Sequence, residues 1–355
     1  MEMKKCGKVL WDDQVHSSSS SRLLQLLLLA AAFPVSTMAG DIYLTDHDVN
    51  VMMDLKGHLT FSNESVWADH DPCNWEGVGC EIVTTTPDEK NLAVSWIAIP
   101  GMNVSGRLPA SLGNLTQLFW FEASYNSLTG PLPDFAGTPN LSTLAVDHNR
   151  FTSIPPTLFF NKTKLRILHL DYNFFLGPWE IPQDLRFYLD LMNFSAVNCN
   201  IHGDFPSFFN GDNFPTLVHL HLAHNHLSGQ LPPILPLSLV SLWLNNQTRA
   251  DGSSSLSGTI SAIQNLTLIT QLYLHGNNFS GQIPDVSGLP RLTEFTVSYN
   301  SLTGPVPKSL AEIPSLKQVN LSNNNLNGSV PHFSDNVTLI TCGNPGLADQ
   351  KGLPC

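Results

Sequence analysis

The chain has 355 residues, only 13% of them charged, and a formal net charge of −12. Such an acidic balance argues against nucleic acid, an anionic membrane surface or a polyanionic wall polymer as partner, because each favours basic patches. Length alone would allow two domains. In chain order, a long leader ends at Arg22, which precedes LLQLLLLAAAF, and small residues then lead to Thr37-Met38-Ala39-Gly40. That order predicts a secretory signal over residues 1–39 with cleavage near Ala39. The apolar run is too short to span a membrane, and no later stretch is long enough. Residues 40–91 read as an N-terminal cap. Thr45 with Asp48 gives a capping-box-like helix start, and Val49, Met52, Met53 and Leu59 are placed to pack toward the body that follows. A Cys73–Cys80 bridge would pin DPCNWEGVGC, as an oxidising compartment permits. The spacing is not the Cys-x-x-Cys of a redox site.

From 92 to 331 the sequence repeats itself. The stretch 217–232, LVHLHLAHNHLSGQLP, spells L-x-x-L-x-L-x-x-N-x-L-x-G, and sliding that template along the chain recovers ten units. Their asparagine slots fall at Met102, Asn126, Asn149, Asn173, Cys199, Asn225, Gln247, Asn277, Asn300 and Asn324, with steps of 22 to 26 residues and one of 30. This is the leucine-rich-repeat pattern. One such unit cannot bury its leucines alone, so units stack, and the predicted fold is an α/β solenoid with a parallel concave sheet and disulfide caps. Each inward leucine contributes roughly 2 kcal/mol. The asparagine can serve backbone groups that no sheet ladder reaches, and the small thiol of Cys199 can sit in that slot inertly. The long step after Gln247 contains TRADGSSS, residues 248–255, which reads as an exposed insertion. Residues 332–355 read as a C-terminal cap, with Cys342 pairing with Cys355 and Cys199 left free.

Alternation along each strand sends the positions six, four and two before the marker onto the concave face. Two aromatic ladders result, Trp96 with Trp120, and His221 with Trp243 and Tyr273. His169, His219 and His275 join this candidate ligand surface. His219 and His221 could offer two ligands to a metal, but the neighbouring strands supply Asn193, Ser195, Ser241 and Trp243, so no metal site is expected. Partly exposed, these histidines are expected to titrate near 6.5 and to favour an anionic partner as pH falls. Sequons predict N-glycans at Asn63, Asn103, Asn114, Asn140, Asn161, Asn246, Asn265, Asn278, Asn327 and Asn336, whereas Asn193 and Asn320 fall on strands.

No catalytic constellation emerges. There is no G-x-S-x-G elbow, no cofactor fingerprint, and no Gly-rich phosphate loop, H-R-D or D-F-G; Asp134-Phe135-Ala136-Gly137 is a repeat turn. The chain is therefore expected to be a non-enzymatic binding module without a cofactor. The motif W-x-x-x-x-x-C-N-W-x-G-V-x-C from Trp67 to Cys80, with repeats ending L-x-G-x-[IL]-P, resembles plant leucine-rich-repeat receptor ectodomains. FFLGPWEIPQDL (174–185), NFSAVNCNIHGDFPSFF (193–209) and LVSLWLNNQ (239–247) resemble the first repeat block of the transmembrane-kinase family of receptor kinases. The resemblance implies a plant-type superhelix and makes residues 332–355 the alternative start of a truncated inter-block island. It also implies an extracellular, apoplastic setting, at the plasma membrane if part of a longer receptor. The implied partners are a protein or peptide ligand, an auxin-binding cupin protein or a co-receptor kinase. A second reading is a secreted inhibitor of wall-degrading enzymes similar to polygalacturonase-inhibiting proteins, although that class carries more cysteine in its caps and a more basic surface.

Overall fold

The computed structural model describes residues 42–348 apart from 64, 87–88, 161–163 and 248–255. The expected leader and signal, the insertion TRADGSSS, Asn161 and Cys355 therefore lie outside the described residues. From Glu89 onward each turn of chain lays one short strand beside the last. The described residues form a twelve-stranded sheet in which only the first strand, Val78–Thr86, runs antiparallel to its neighbour, Glu89–Ala98. The eleven strands from Glu89–Ala98 to Thr338–Ile340 are parallel, and each later strand occupies the positions six to four before its marker. The middle residue of each strand points inward, giving the stacked column Phe121, Leu144, Leu168, Phe194, Leu220, Leu242, Leu272, Phe295 and Val319. All of these are buried. Neighbouring turns supply the apolar wall that one turn lacks.

The solenoid extends beyond the repeats legible in the sequence. Thr338–Ile340 pairs with Gln318–Asn320 inside the segment expected to be a terminal cap. Asn344 acts as its marker, accepting from Leu326 N at 3.0 Å and donating to the Leu321 and Thr341 carbonyls. Cys342 is disulfide-bonded. In most turns a second strand forms just after the marker, outside the predicted concave sheet. Among the described residues these strands, together with the cap strand Leu59–Thr60, make sheets of four, two and six members, and the first break falls at 174–178, where FFLGP replaces the usual L-x-G. Glycine at the L-x-G position serves that second sheet: Gly106 has φ +112, and a Cβ there would lie 2.1 Å from the His58 carbonyl oxygen.

The N-terminal cap is a helix, Asp46–His58, followed by the hairpin of Val78–Thr86 and Glu89–Ala98. Thr45 accepts the Asp48 N–H, as a capping residue should. The reciprocal half of the box is absent, because the Asp48 carboxylate instead accepts Val94 N–H at 2.8 Å and ties the helix to the first repeat. Burial raises the pKa of that carboxyl. Met52 and Leu59 are buried as expected and Val49 packs at the margin, but Met53 faces solvent while Val51 and Leu55 take the inward positions. Trp67 stacks on Trp75 at 4.7 Å, Lys56 lies over Trp75, and Cys73 is bonded to Cys80.

Cys199 fills its marker slot as a donor. Its thiol donates to the Leu170 carbonyl at 3.0 Å, while its N–H bonds to Asn225 Oδ1. Burial first, and then the Asp171 charge, push the thiol pKa well above its ordinary value, so little thiolate forms. Iodoacetamide is expected to leave Cys199 unmodified in the native protein and to label it once the chain is unfolded. Cys199→Asn should be tolerated and Cys199→Leu should lower the melting temperature; rapid native labelling would contradict the buried placement.

Candidate functional site

Strand register brings the predicted surface residues into rows. Trp96 pairs with Trp120, and His221, Trp243 and Tyr273 occupy one row on three successive strands. The two ladders differ in the way their rings pack. The Trp96 indole leans over Gly79, where a Cβ would clash at 1.9 Å, and so turns toward the cap hairpin. Trp120 Nε1 donates to Glu122 at 3.3 Å. In the other ladder, His221 stacks on Trp243 at 3.9 Å and 10°, and Trp243 on Tyr273 at 5.4 Å. The Tyr273 hydroxyl donates to Glu294, which also accepts from Gln271. His275 bonds Thr296 Oγ1 at 2.9 Å. Planar groups stacked face to face on a rigid sheet form the kind of preorganised surface from which binding hot spots are built.

The four histidines of the stretch 217–232 separate into two groups. His219 Nδ1 and His221 Nε2 converge on one hydroxyl, Ser241 Oγ, at 2.7 and 2.6 Å. One hydroxyl cannot give its single proton to both rings, so one imidazole accepts it and the other donates an N–H to the oxygen. The tautomers of the two rings are thereby linked. His224 sits at the left-handed bend beyond the strand, with φ +56, and His226 leaves the sheet to meet His202 at 4.6 Å.

The expectation that these rings titrate near 6.5 is not met for the central pair. Burial lowers the pKa of His219, with a smaller contribution from the charge of His169. His221 is driven well below the ordinary imidazole range, first by burial beneath the neighbouring rings and then by His219 and His169. The sequence places these rings on the concave face but does not show that Trp243 covers one and a shared hydroxyl holds both. Binding that depends on their protonation would have to overcome this cost, so the expected gain in affinity for an anionic partner at falling pH has no support in the geometry.

Earlier on the same face lies an acidic patch, whose residues fall in the columns four and two before the markers but are not grouped by them. Glu122, Asp147 and Asp171 come from three successive turns. Asp147 accepts from Ser124 Oγ and lies 2.9 Å from His148 Nδ1. Asp171 accepts from Ser195 Oγ at 2.7 Å and from Val197 N–H at 2.6 Å. Burial raises the pKa of Glu122 and of Asp171, with the charge of Asp147 adding to it in both. At their edge runs a third ladder, formed by the residues immediately before the markers, where the backbone is left-handed. Tyr125 stacks on His148 at 4.1 Å, His148 meets Tyr172 at 4.6 Å, and Tyr172 meets Phe174 at 5.8 Å. Reading the position just before the marker would have found Tyr125, His148 and Tyr172 in the sequence.

The sequons distribute unevenly. Asn63, Asn103, Asn114, Asn265, Asn278, Asn327 and Asn336 are exposed. Asn140 and Asn246 are half-buried and bonded, to Lys164 and His224 respectively. Asn193 is half-buried on the concave sheet, and Asn320 is buried with its oxygen accepting from Ser322. Glycopeptide mapping of secreted protein is expected to find glycan at Asn114, Asn265, Asn327 and Asn336 and none at Asn320; a glycan at Asn320 would contradict this register.

Comparison with known proteins gives a consistent family assignment. A family model described as a leucine-rich-repeat N-terminal domain matches residues 45–81, and one described as a leucine-rich repeat matches 216–237, 268–288 and 315–336. The chain is 41% identical to the receptor-like kinase TMK2 of Arabidopsis thaliana over 76% of its own length and 29% of that protein. It is 38% identical to the receptor protein kinase WSS1 of Oryza sativa subsp. japonica over 87% of its length and 32% of that protein. It thus spans about a third of the length of these curated relatives. Among solved structures, the Arabidopsis receptor kinase HAESA, in complex with the peptide hormone IDA and the co-receptor SERK1, superposes with a TM-score of 0.64 at 26% identity. That match covers 86% of this chain and 54% of that chain.

Proposed function

The chain is a leucine-rich-repeat ectodomain of the plant receptor-kinase type, and from that premise we propose that it recognises a peptide or protein ligand, or a co-receptor, on its concave sheet. The observation that carries this reading is the His221–Trp243–Tyr273 row, stacked in register on the inner face and buttressed by Glu294. In the finer reading the module works outside the cell in cell-surface signalling linked to auxin, with an auxin-binding cupin protein or a co-receptor kinase as partner. Family resemblance alone supports that finer step. The kinase in the names of the relatives is a property of those whole proteins. That they are receptor kinases favours recognition over the inhibition of wall-degrading enzymes.

Site-specific photo-crosslinking in plant tissue tests the proposal. A benzophenone side chain at Gln271 or Gln318, both on concave strands, should capture a discrete partner. The same group at Gln264, exposed on the short helix Ser261–Asn265, should not. Equal capture from Gln264, or none from either concave position, would overturn it.

A further inference from the structure

We propose that the rim formed by Tyr125, His148 and Tyr172, together with Glu122, Asp147 and Asp171, is a subsite for the guanidinium of an arginine carried by the partner. The inference rests on the concave face being a recognition surface and assigns chemistry to a part of it distinct from the Trp243 row. Three observations lead to it.

First, the rim is an exposed stack. Tyr125 is 49% exposed and Phe174 64% exposed, yet both belong to one continuous run of rings over three turns. The residues that present it adopt left-handed backbone, with φ of +57, +53 and +55 at Tyr125, His148 and Tyr172. Glycine or asparagine fills the same position in several other turns, for example Gly101, Asn198 and Gly276. Large rings at left-handed positions cost backbone energy that small residues avoid. Second, the charge behind the stack is negative and uncompensated by a strong base. The hydrogen-bond and ion-pair partners described for the three carboxylates are Trp120, Ser124, His148, Ser195 and the Val197 N–H, and His169 lies near enough to act on Glu122 and Asp171 through its charge, with no lysine or arginine among them. Among the described residues, every ion pair within salt-bridge distance uses histidine as its base. Third, rings and carboxylates adjoin, His148 Nδ1 lying 2.9 Å from Asp147, and that pairing suits a planar cation. A guanidinium lies flat on an aromatic face while its edge N–H groups donate to carboxylate oxygens, and an ammonium cannot do both at once. The chain's net charge of −12 supplies long-range attraction of the same sign.

The test uses N-acetyl-arginine methylamide as probe, with the citrulline analogue as a neutral isostere, followed by saturation-transfer NMR on the whole secreted protein. The arginine amide should bind, and the citrulline analogue should bind about tenfold more weakly or not at all. Asp147→Asn and Tyr125→Leu should each remove most of the arginine signal, while Trp243→Ala should leave it intact. Glu122→Gln, at a half-exposed position, provides a variant that does not disturb the Asp147 hydrogen bonds. Equal binding of arginine and citrulline, or arginine binding that survives both Asp147→Asn and Glu122→Gln, would overturn the assignment. Loss of the signal in Trp243→Ala would place the subsite elsewhere and overturn it too. Failure here with successful capture from Gln271 would refute the subsite and leave the recognition surface standing.

Discussion

Replacing Asn225 with alanine is expected to cost about 3 kcal/mol or more of stability, because it strips partners from three buried backbone groups at once. Asn225 is fully buried. Its amide donates to the carbonyls of Ala196, Leu222 and Ala223, and its oxygen accepts from the N–H groups of Cys199 and Ile201. Leu222 and Ala223 have second donors, Gln247 and the Asn198 N–H. The Ala196 carbonyl and the two N–H groups do not, and with no solvent to turn to they carry the desolvation penalty. Gln247 fills the same slot one turn later, accepting from the Leu227 N–H and donating to the Leu222 and Leu244 carbonyls, so Asn225→Gln should be milder. Since turns contact only their neighbours, a fault in the middle of the stack should also split one unfolding transition into two. Urea denaturation followed by circular dichroism measures both effects, with Asn325→Ala, at an exposed position, as the control. A loss smaller than about 1 kcal/mol would mean that the marker is decorative.

The second large effect is on stability against pH. Both His219 and His221 have folded-state pKa values below their unfolded value, so the unfolded chain takes up these protons first. Stability from this pair is then fully present above about 6.5 and is lost as pH falls below it toward the folded values. Glu122 and Asp171 are shifted upward, so the folded state takes up their protons first at lower pH, which offsets part of the loss. Between about pH 7.5 and 5.5 the wild-type melting temperature should fall, and His219→Gln with His221→Phe should flatten the decline. Phenylalanine keeps a ring against Trp243 without a titratable proton. An identical slope in the double variant would show that the pair is solvated.

Period and register were legible in the sequence because both follow from one spacing. Once the leucines are aligned, alternation decides which residues face inward, and the rows Trp96–Trp120 and His221–Trp243–Tyr273 follow. What lay beyond that reading depends on contacts between turns. The second sheet follows from glycines with positive φ after the markers, at positions that alternation does not describe. The eleventh turn carries Thr338, Leu339 and Ile340 in place of a leucine-rich strand, so the template passes over it, though Asn344 makes the marker's bonds. The carboxylates near Tyr125 and Tyr172 were visible as residues but not as a group, since only stacking brings residues 122, 147 and 171 together. Asp48 shows the same limit: its helix position was readable, its bond to Val94 across the cap was not.

Recognition of a partner by the concave row is measured most directly as the affinity, by titration calorimetry, of the partner captured at Gln271 for wild type and for Trp243→Ala. Trp243 is sandwiched between His221 and Tyr273, so its removal empties the centre of the row. Circular dichroism would establish that the variant keeps its fold, and Trp243→Phe should restore part of the binding by keeping a ring in the stack. Trp243→Ala is expected to weaken binding by about 30-fold or more, as a loss of about 2 kcal/mol at a hot spot would. An affinity unchanged within about twofold in a folded Trp243→Ala protein would contradict it.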